Sequence, residues 1–299
     1  MVRSFRRRML ILFTALLVAA AALLGLAASR PAEALNALAA LNTRRVDAAV
    51  PYGPLPRHKL DVYAPSTPAP AGGFPLVVFF YGGSWNRGER ADYRFVGEAL
   101  AARGIVTLLA DYRLYPEVRY PDFLSDCALA LAYGLQQAKS LGANPQRVHV
   151  MGHSAGAYNA AMLALDAQRL APTGHSPSEL AGWIGLAGPY DFLPMKNPDT
   201  RPVFFHPDYP PGTQPIAYAS RSSPRSFLGA ALDDQLINPQ RNSVGLAKRL
   251  GELGAQVELK LYARVSHMSL IAAMAWPLNW LAPVLDDVVA FVNASTGQD

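Results

Sequence analysis

Short apolar runs alternate with helix-like segments along most of the chain. These runs are candidate strands and are four to six residues long: Leu76–Phe80, Ile105–Ala110, Val148–Met151, Trp183–Ala187, Ser226–Ala230 and Val257–Tyr262. The segments with helical spacing lie between and after them: Tyr93–Arg103, Phe123–Leu141, Ala155–Gln168, Ser243–Leu253 and Leu281–Asn293. Uninterrupted apolar strands joined by helices predict an α/β fold, with a mostly parallel central sheet and helices on both faces.

The globular domain is predicted over residues 51–299, beginning with a turn and an edge strand at Leu60–Pro65. Residues 30–50, rich in Ala and Leu, predict a connecting helix. Residues 190–224 have neither helical nor strand periodicity and are rich in Pro, Asp, Ser and aromatic residues. A long irregular stretch in a compact domain is usually functional. Since its aromatic side chains favour burial, among them Phe192, Phe204, Phe205 and Tyr209, we interpret it as a small lid or rim insertion.

Residues 1–29 carry a targeting pattern. Four arginines among the first eight residues precede Met9–Ala28, twenty uncharged and largely apolar residues. That length can cross a bilayer as a helix, and the arginines favour an N-terminus in the cytoplasm. A cleaved signal peptide is the alternative, because Ala32-Glu33-Ala34 offers a cleavage site, but the long apolar run favours a membrane anchor. Both interpretations place the globular domain outside the cytoplasm.

Composition and charge narrow the possible partners. Hydrophobic residues make up 51% of the chain and charged residues 16%, which indicates a buried core and not disorder. The net charge is +5, and the four N-terminal arginines account for four of these charges, which leaves +1 for the remainder. No basic stripe suggests nucleic-acid binding. Cys127 is the one cysteine, so no intrachain disulfide forms, and no cluster has metal-ligand spacing; neither a metal nor an organic cofactor is expected.

The strongest chemical signal is Gly152-His153-Ser154-Ala155-Gly156, between a predicted strand and a predicted helix. A Gly-x-Ser-x-Gly in that context is typical of the nucleophile elbow of α/β-hydrolases. The tight turn forces the serine into a strained conformation that lifts its hydroxyl above the sheet, and the flanking glycines leave room for neighbouring backbone. The sequence therefore predicts Ser154 as a nucleophile.

A serine nucleophile needs a base to take its proton and a carboxylate to orient that base. In this fold the order along the chain is Ser, then Asp or Glu, then His. Of the six histidines, only His267 follows a plausible acid, in the loop after the last predicted strand. We predict His267 as the base and Asp234 as the acid, with Asp233 and Asp191 as alternatives for the acid.

An oxyanion needs preorganised N–H donors. Two glycines and a serine end the first central strand in the run Phe79–Trp85, upstream of the elbow. The backbone N–H groups of Gly83 and Ser84 are predicted to form the oxyanion hole, together with the N–H of Ala155 directly after the nucleophile.

With these motifs in place, the chain resembles the α/β-hydrolase esterases related to hormone-sensitive lipase. The resemblance is strongest to the branch with a His-Gly-Gly-x-Trp oxyanion motif, which includes feruloyl-esterase-like proteins, kynurenine formamidase and prenylcysteine methylesterase. The matching segments span nearly all of residues 51–295: Tyr81–Trp85, Asp111–Pro116, Gly152–Gly156, Asp234–Pro239 and His267. Two positions depart from the pattern, since Tyr81 and Leu228 stand where that branch usually or often has histidine.

The resemblance implies a serine carboxylesterase that cleaves small-molecule esters through an acyl-enzyme, without a cofactor. An amidase or formamidase is the close alternative, because the same apparatus cleaves activated amides. A non-catalytic, hydrolase-like binding protein at the membrane is the alternative from another class, and the presence of all three predicted triad residues argues against it. The sequence leaves the acyl and alcohol specificities and the oligomeric state open.

Overall fold

The structure, a computed structural model, describes residues 30, 33–36 and 44–294. Eight strands in this part of the chain form one sheet: β1 (Arg44–Pro51), β2 (Lys59–Ala64), β3 (Phe74–Phe80), β4 (Val106–Ala110), β5 (Ala143–His153), β6 (Gly182–Leu186), β7 (Ser226–Ala231) and β8 (Val257–Tyr262). Their spatial order is β1-β2-β4-β3-β5-β6-β7-β8. The pairs β1–β2 and β2–β4 are antiparallel, and every other neighbouring pair is parallel.

Helices cover both faces of this sheet. Those of the described chain from residue 44 onward are α1 (Arg94–Ala101), α2 (Asp122–Gln137), α3 (Ala155–Leu165), α4 (Ala167–Leu170), α5 (Gly245–Glu252), α6 (His267–Ala272) and α7 (Val284–Asn293). Neighbouring side chains of a strand point to opposite faces. In β3, Val78 meets α2 at Gly134, whereas Phe79 packs 5.5 Å from the ring of Tyr93, just before α1. The central strands are therefore buried from both sides, as their unbroken apolar runs predict.

The prediction of a connecting helix over residues 30–50 is wrong in its C-terminal part. Arg44–Pro51 is β1, which extends the edge of the sheet by pairing with β2. The pairing is irregular: the register shifts near Ala49, whose φ is 54° and whose N–H donates to Asp61 Oδ1 at 2.8 Å. Composition favours a helix here, but the open backbone edge of β2 supplies hydrogen-bond partners, and this tertiary pairing outweighs local propensity. Residues 33–36 are helical.

Several predicted helices differ from the observed ones at their ends. The helix predicted to continue to Gln168 stops at Leu165, since Asp166 leaves the helical conformation and its carboxylate accepts the Gln168 N–H that begins α4. A π-helical turn at Gln240–Val244 precedes α5, and α7 begins only after Pro283. A residue that caps the next element, or a proline, sets each of these boundaries more sharply than apolar spacing does.

The segment 190–224 consists of turns and two short 3₁₀ helices, Pro202–Phe204 and Pro215–Tyr218. Phe204 is fully buried, with its ring 4.9 Å from that of Trp85. Phe205 remains 38% exposed, contrary to the expectation that the aromatic residues of this segment are buried. It takes a positive φ at the end of its 3₁₀ helix, and the Arg119 guanidinium lies over its ring.

The predicted anchor or signal peptide over residues 1–29 lies outside the described residues and stays a prediction, as does export of the domain. Among the residues that the structure does describe, no helix has both the length and the apolar character needed to cross a membrane.

Candidate active site

The elbow forms where β5 runs directly into α3. Ser154 stands at the junction with φ 55° and ψ −120°, a strained conformation for a residue with a side chain. A Cβ on Gly152 would lie 2.1 Å from the Gly156 carbonyl oxygen, and one on Gly156 would lie 2.0 Å from the Phe80 carbonyl oxygen. Neither backbone can withdraw cheaply, so only glycine fits at these two positions. The Ser154 N–H donates to the Leu186 carbonyl at 2.8 Å, which ties the turn to β6.

Three side chains from distant parts of the chain meet at this turn. His267 Nε2 lies 2.9 Å from Ser154 Oγ, and His267 Nδ1 lies 2.7 Å from Asp234 Oδ2. The prediction that His267 lies in a loop is wrong. It is the first residue of α6, for which Ser266 is the N-cap. The Ser266 hydroxyl accepts the Ser269 N–H and so holds the start of the helix. Ser154, His267 and Asp234 thus form one hydrogen-bonded line.

Asp234 is placed by its own loop as well as by His267. Its Oδ1 accepts the backbone N–H groups of Leu236 at 2.8 Å and Ile237 at 2.9 Å. Burial works to raise the pKa of the Asp234 carboxyl, but the hydrogen bonds from His267 and from the two N–H groups outweigh it and lower the pKa below its usual value. A carboxylate with a lowered pKa is ionised at neutral pH and accepts the Nδ1–H of His267.

The two alternative acids lie elsewhere. Asp233 is exposed to solvent beside Asp234, with no hydrogen bond to His267. Asp191 forms an ion pair with Arg241 at 2.9 Å. Of the three candidate carboxylates, the structure brings only that of Asp234 to the imidazole.

The turn after β3 exposes backbone N–H groups beside Ser154. Gly83, Ser84 and Trp85 all have positive φ, at 130°, 55° and 57°, and a Cβ on Gly83 would lie 2.2 Å from the Arg87 carbonyl oxygen. Within the described residues, the N–H groups of Gly83 and Ser84 donate to no protein acceptor. Ala155 begins α3, so its N–H has no acceptor within the helix. These are the three N–H groups that the sequence predicts as oxyanion donors, and their role in an oxyanion hole stays a prediction.

Aromatic stacking and an arginine support this turn from below. Tyr81, one of the two departures from the motif that the sequence resembles, stacks on Tyr112 with ring centroids 4.6 Å apart. The Tyr112 hydroxyl donates to the Tyr81 carbonyl at 2.8 Å, and Arg57 donates to the Tyr81 hydroxyl at 2.9 Å and to the Gly88 carbonyl at 2.6 Å. Burial raises the pKa of Tyr81, so its hydroxyl stays protonated. Tyr81 therefore has a structural role beneath the turn.

Two cavities meet at Ser154 and Ser84. The first, of about 780 Å³, extends past His267 and has apolar walls from Phe95, Ile271 and Met268. The second, of about 580 Å³, lies on the side of Trp85 and is richer in polar groups. Its lining includes part of the segment 190–224: Asp191, Phe192, Pro194, Met195, Lys196, Asn197 and Thr200. A substrate carbonyl at Ser154 would have room for a group on either side.

Comparison with known proteins assigns the chain to a family. The BD-FAE family model matches residues 60–250, more than half of the chain. The chain belongs to the BD-FAE family. The solved structure of Thermogutta terrifontis esterase 2 phosphonylated by sarin has a TM-score of 0.69 to this protein at 20% identity, and the match covers 84% of this chain and 96% of that one. This likeness shows the α/β-hydrolase fold for this member of the BD-FAE family.

Curated relatives of this BD-FAE protein include enzymes that act on two kinds of bond. The isoprenylcysteine alpha-carbonyl methylesterase of Arabidopsis thaliana is 28% identical, and the match covers 84% of this chain and 63% of the relative. The kynurenine formamidase of Salmo salar is 30% identical, with 49% of this chain and 47% of the relative covered. The chain thus spans less than two thirds of the length of either relative.

Proposed function

We propose that this protein hydrolyses carboxylic esters with Ser154 as nucleophile, His267 as general base and Asp234 as the residue that orients the base. The observation that carries the proposal is the line of hydrogen bonds from Asp234 through His267 to Ser154 at a strained turn. Strain at that turn is consistent with a nucleophile held in one position for attack. The methylesterase among the curated relatives supports an ester as the bond that is cleaved.

The chemistry follows from the donors and acceptors at the site. Ser154 Oγ attacks the ester carbonyl carbon while its proton passes to His267 Nε2. The carbonyl oxygen becomes an oxyanion, which the N–H groups of Gly83, Ser84 and Ala155 stabilise. When the C–O bond to the alcohol breaks, His267 returns the proton to the departing oxygen and an acyl-enzyme remains. Water, deprotonated by His267, then attacks the acyl carbonyl and releases the carboxylic acid and the free serine.

A series of p-nitrophenyl esters from acetate to decanoate, measured beside an N-formyl aromatic amide, tests this assignment. We expect turnover of at least one ester, with kcat/KM well above that for the amide. The formamidase among the relatives favours the second candidate, cleavage of an activated amide by the same residues. Faster turnover of the amide would support that candidate, and folded protein that cleaves neither bond would overturn both.

The apolar cavity beside His267 supports a substrate with an apolar group. Ala272 lines this cavity and is partly exposed, so Ala272→Trp fills the space without adding volume to the core. Burying one methylene contributes about 0.8 kcal/mol, so excluding two or three of them should lower kcat/KM for the decanoate ester roughly 15- to 60-fold. Activity on the acetate ester should change little.

The matched control is Leu129→Trp, which adds the same indole at an exposed position of α2 away from both cavities. It should leave the ratio of decanoate to acetate activity unchanged. An equal loss on both esters in Ala272→Trp, or none on either, would show that the apolar group binds elsewhere, for example in the cavity lined by the segment 190–224.

A further inference from the structure

His153 directly precedes the nucleophile, and its ring packs against those of His267 and Tyr93. It is 1% exposed, and its ring centroid lies 5.0 Å from that of His267. Its Nε2 lies 3.1 Å from the His267 carbonyl oxygen, and its Nδ1 lies 3.1 Å from the Tyr93 hydroxyl. The Tyr93 hydroxyl in turn lies 3.3 Å from the backbone nitrogen of Gly82. A hydrogen-bonded line therefore runs from Gly82 to the backbone of His267.

The donor and acceptor of each hydrogen bond in this line follow from the groups at its two ends, the Gly82 N–H and the His267 carbonyl. A carbonyl oxygen only accepts, so the proton between His153 and His267 belongs to His153 Nε2. Burial, reinforced by the neighbouring His267, lowers the pKa of His153 to about 3, so the ring is neutral and its Nδ1 is an acceptor. The Tyr93 hydroxyl, whose pKa is raised by burial, donates to Nδ1 and accepts the Gly82 N–H. Tyr93 and His153 therefore each make two hydrogen bonds, in one of which they donate and in the other of which they accept.

This line connects the three parts on which catalysis depends under the proposed function. Gly82 precedes the oxyanion donors Gly83 and Ser84, His153 precedes Ser154, and the far end is the backbone of His267. We infer that Tyr93 and His153 are positioning residues, which fix the positions of the His267 backbone and of the oxyanion turn relative to Ser154. The inference rests on the proposed function, because it concerns the residues that would carry out that reaction.

Tyr93→Phe removes the hydroxyl and keeps the ring, which packs 5.5 Å from Phe79 and 5.9 Å from Phe95. A hydrogen bond of this kind contributes about 0.5–1.5 kcal/mol, so we expect kcat to fall roughly 2- to 12-fold. KM should change less than about 2-fold, since the effect falls on the catalytic groups and not on substrate binding. Unchanged kcat in the folded variant would overturn the inference.

The control is Tyr158→Phe, which removes another buried hydroxyl that donates to a backbone carbonyl, that of Thr213, at 3.0 Å. Tyr158 is outside the hydrogen-bonded line, so this variant should keep the wild-type kcat. An equal loss of kcat in both variants would show that any lost buried hydroxyl has this effect, and the inference would fail.

Two replacements of His153 separate positioning from packing. His153→Gln retains an amide N–H that reaches toward the His267 carbonyl, whereas His153→Leu fills the space without a donor. We expect His153→Leu to lose about 10-fold or more in kcat and His153→Gln to recover most of that loss. Both must unfold at similar urea concentrations for the comparison to hold. Equal kcat values in two variants of equal stability would leave His153 with a packing role only.

Nitrogen-15 NMR of the histidine rings gives a readout that does not depend on turnover. In Ser154→Ala protein, His153 should be neutral and protonated on Nε2 across about pH 5 to 8, the range where histidines usually titrate. A His153 protonated on Nδ1, or charged near pH 6, would overturn the inference even if the protein is an esterase. Conversely, wild-type protein that cleaves no ester would overturn the proposed function while leaving this readout intact.

Discussion

Ser154→Ala is expected to abolish ester hydrolysis, with kcat falling on the order of 10⁵- to 10⁶-fold. The alanine removes only Oγ, the atom 2.9 Å from His267 Nε2, and leaves the backbone of the elbow as it is. Without that atom neither acyl transfer to the enzyme nor proton transfer to His267 takes place. Steady-state kinetics on the best p-nitrophenyl ester provides the measurement.

The matched control is Ser178→Ala, at an exposed serine far along the chain from the elbow, which should retain wild-type kcat. Circular dichroism and the urea midpoint establish that both variants fold. If Ser154→Ala keeps more than about a tenth of the wild-type kcat, another group attacks the ester and the proposed mechanism is wrong.

Asp234→Asn should be the next most damaging change, with kcat about 10⁴-fold lower. Asp234 Oδ1 accepts the N–H groups of Leu236 and Ile237, so the asparagine carbonyl oxygen must keep that side. Its amide NH₂ then faces His267 Nδ1, which has to become an acceptor. The imidazole proton moves to Nε2, where it prevents His267 from taking the proton of Ser154. The loss arises from the wrong tautomer and not from a disturbed fold.

Asp233→Asn is the control for this change, because it makes the same substitution one residue away on an exposed side chain. We expect its kcat to stay within about 2-fold of wild type, as surface substitutions away from a site usually have small effects. A larger loss in Asp233→Asn than in Asp234→Asn would reverse the assignment of the acid between these two residues.

The central sheet and the candidate triad are predictable from sequence for physical reasons. Strands buried on both faces need unbroken apolar runs, and Val148–Met151 or Trp183–Ala187 stand out against their surroundings for that reason. The elbow is recognisable in the sequence because a Cβ on Gly152 or Gly156 would lie about 2 Å from backbone atoms, so both positions need glycine. The order of nucleophile, acid and base along the chain then leaves His267 as the candidate base among the six histidines. Each of these features is local or depends only on order along the chain.

The features that sequence does not predict depend on contacts between distant segments. Arg44–Pro51 becomes a strand because the edge of β2 needs partners, which its own composition does not reveal. Tyr93 and His153 are 60 residues apart, and His153 and His267 are 114 apart, so no spacing rule connects them. From its position in the sequence alone, His153 would be interpreted as a histidine whose hydrogen bonds are satisfied and which has no role at the site. Only the fold shows that the His153 ring hydrogen-bonds to the Tyr93 hydroxyl and to the His267 carbonyl.

A fluorophosphonate probe tests the central claim most directly, because it reacts with an activated serine whatever the natural substrate is. Intact-mass spectrometry followed by peptide mapping should find one adduct per chain, on Ser154, in folded wild-type protein. Ser154→Ala should acquire none under the same conditions. Folded wild-type protein that remains unlabelled, or that carries the adduct on another residue, would contradict the account and favour a hydrolase-like binding protein or a different nucleophile.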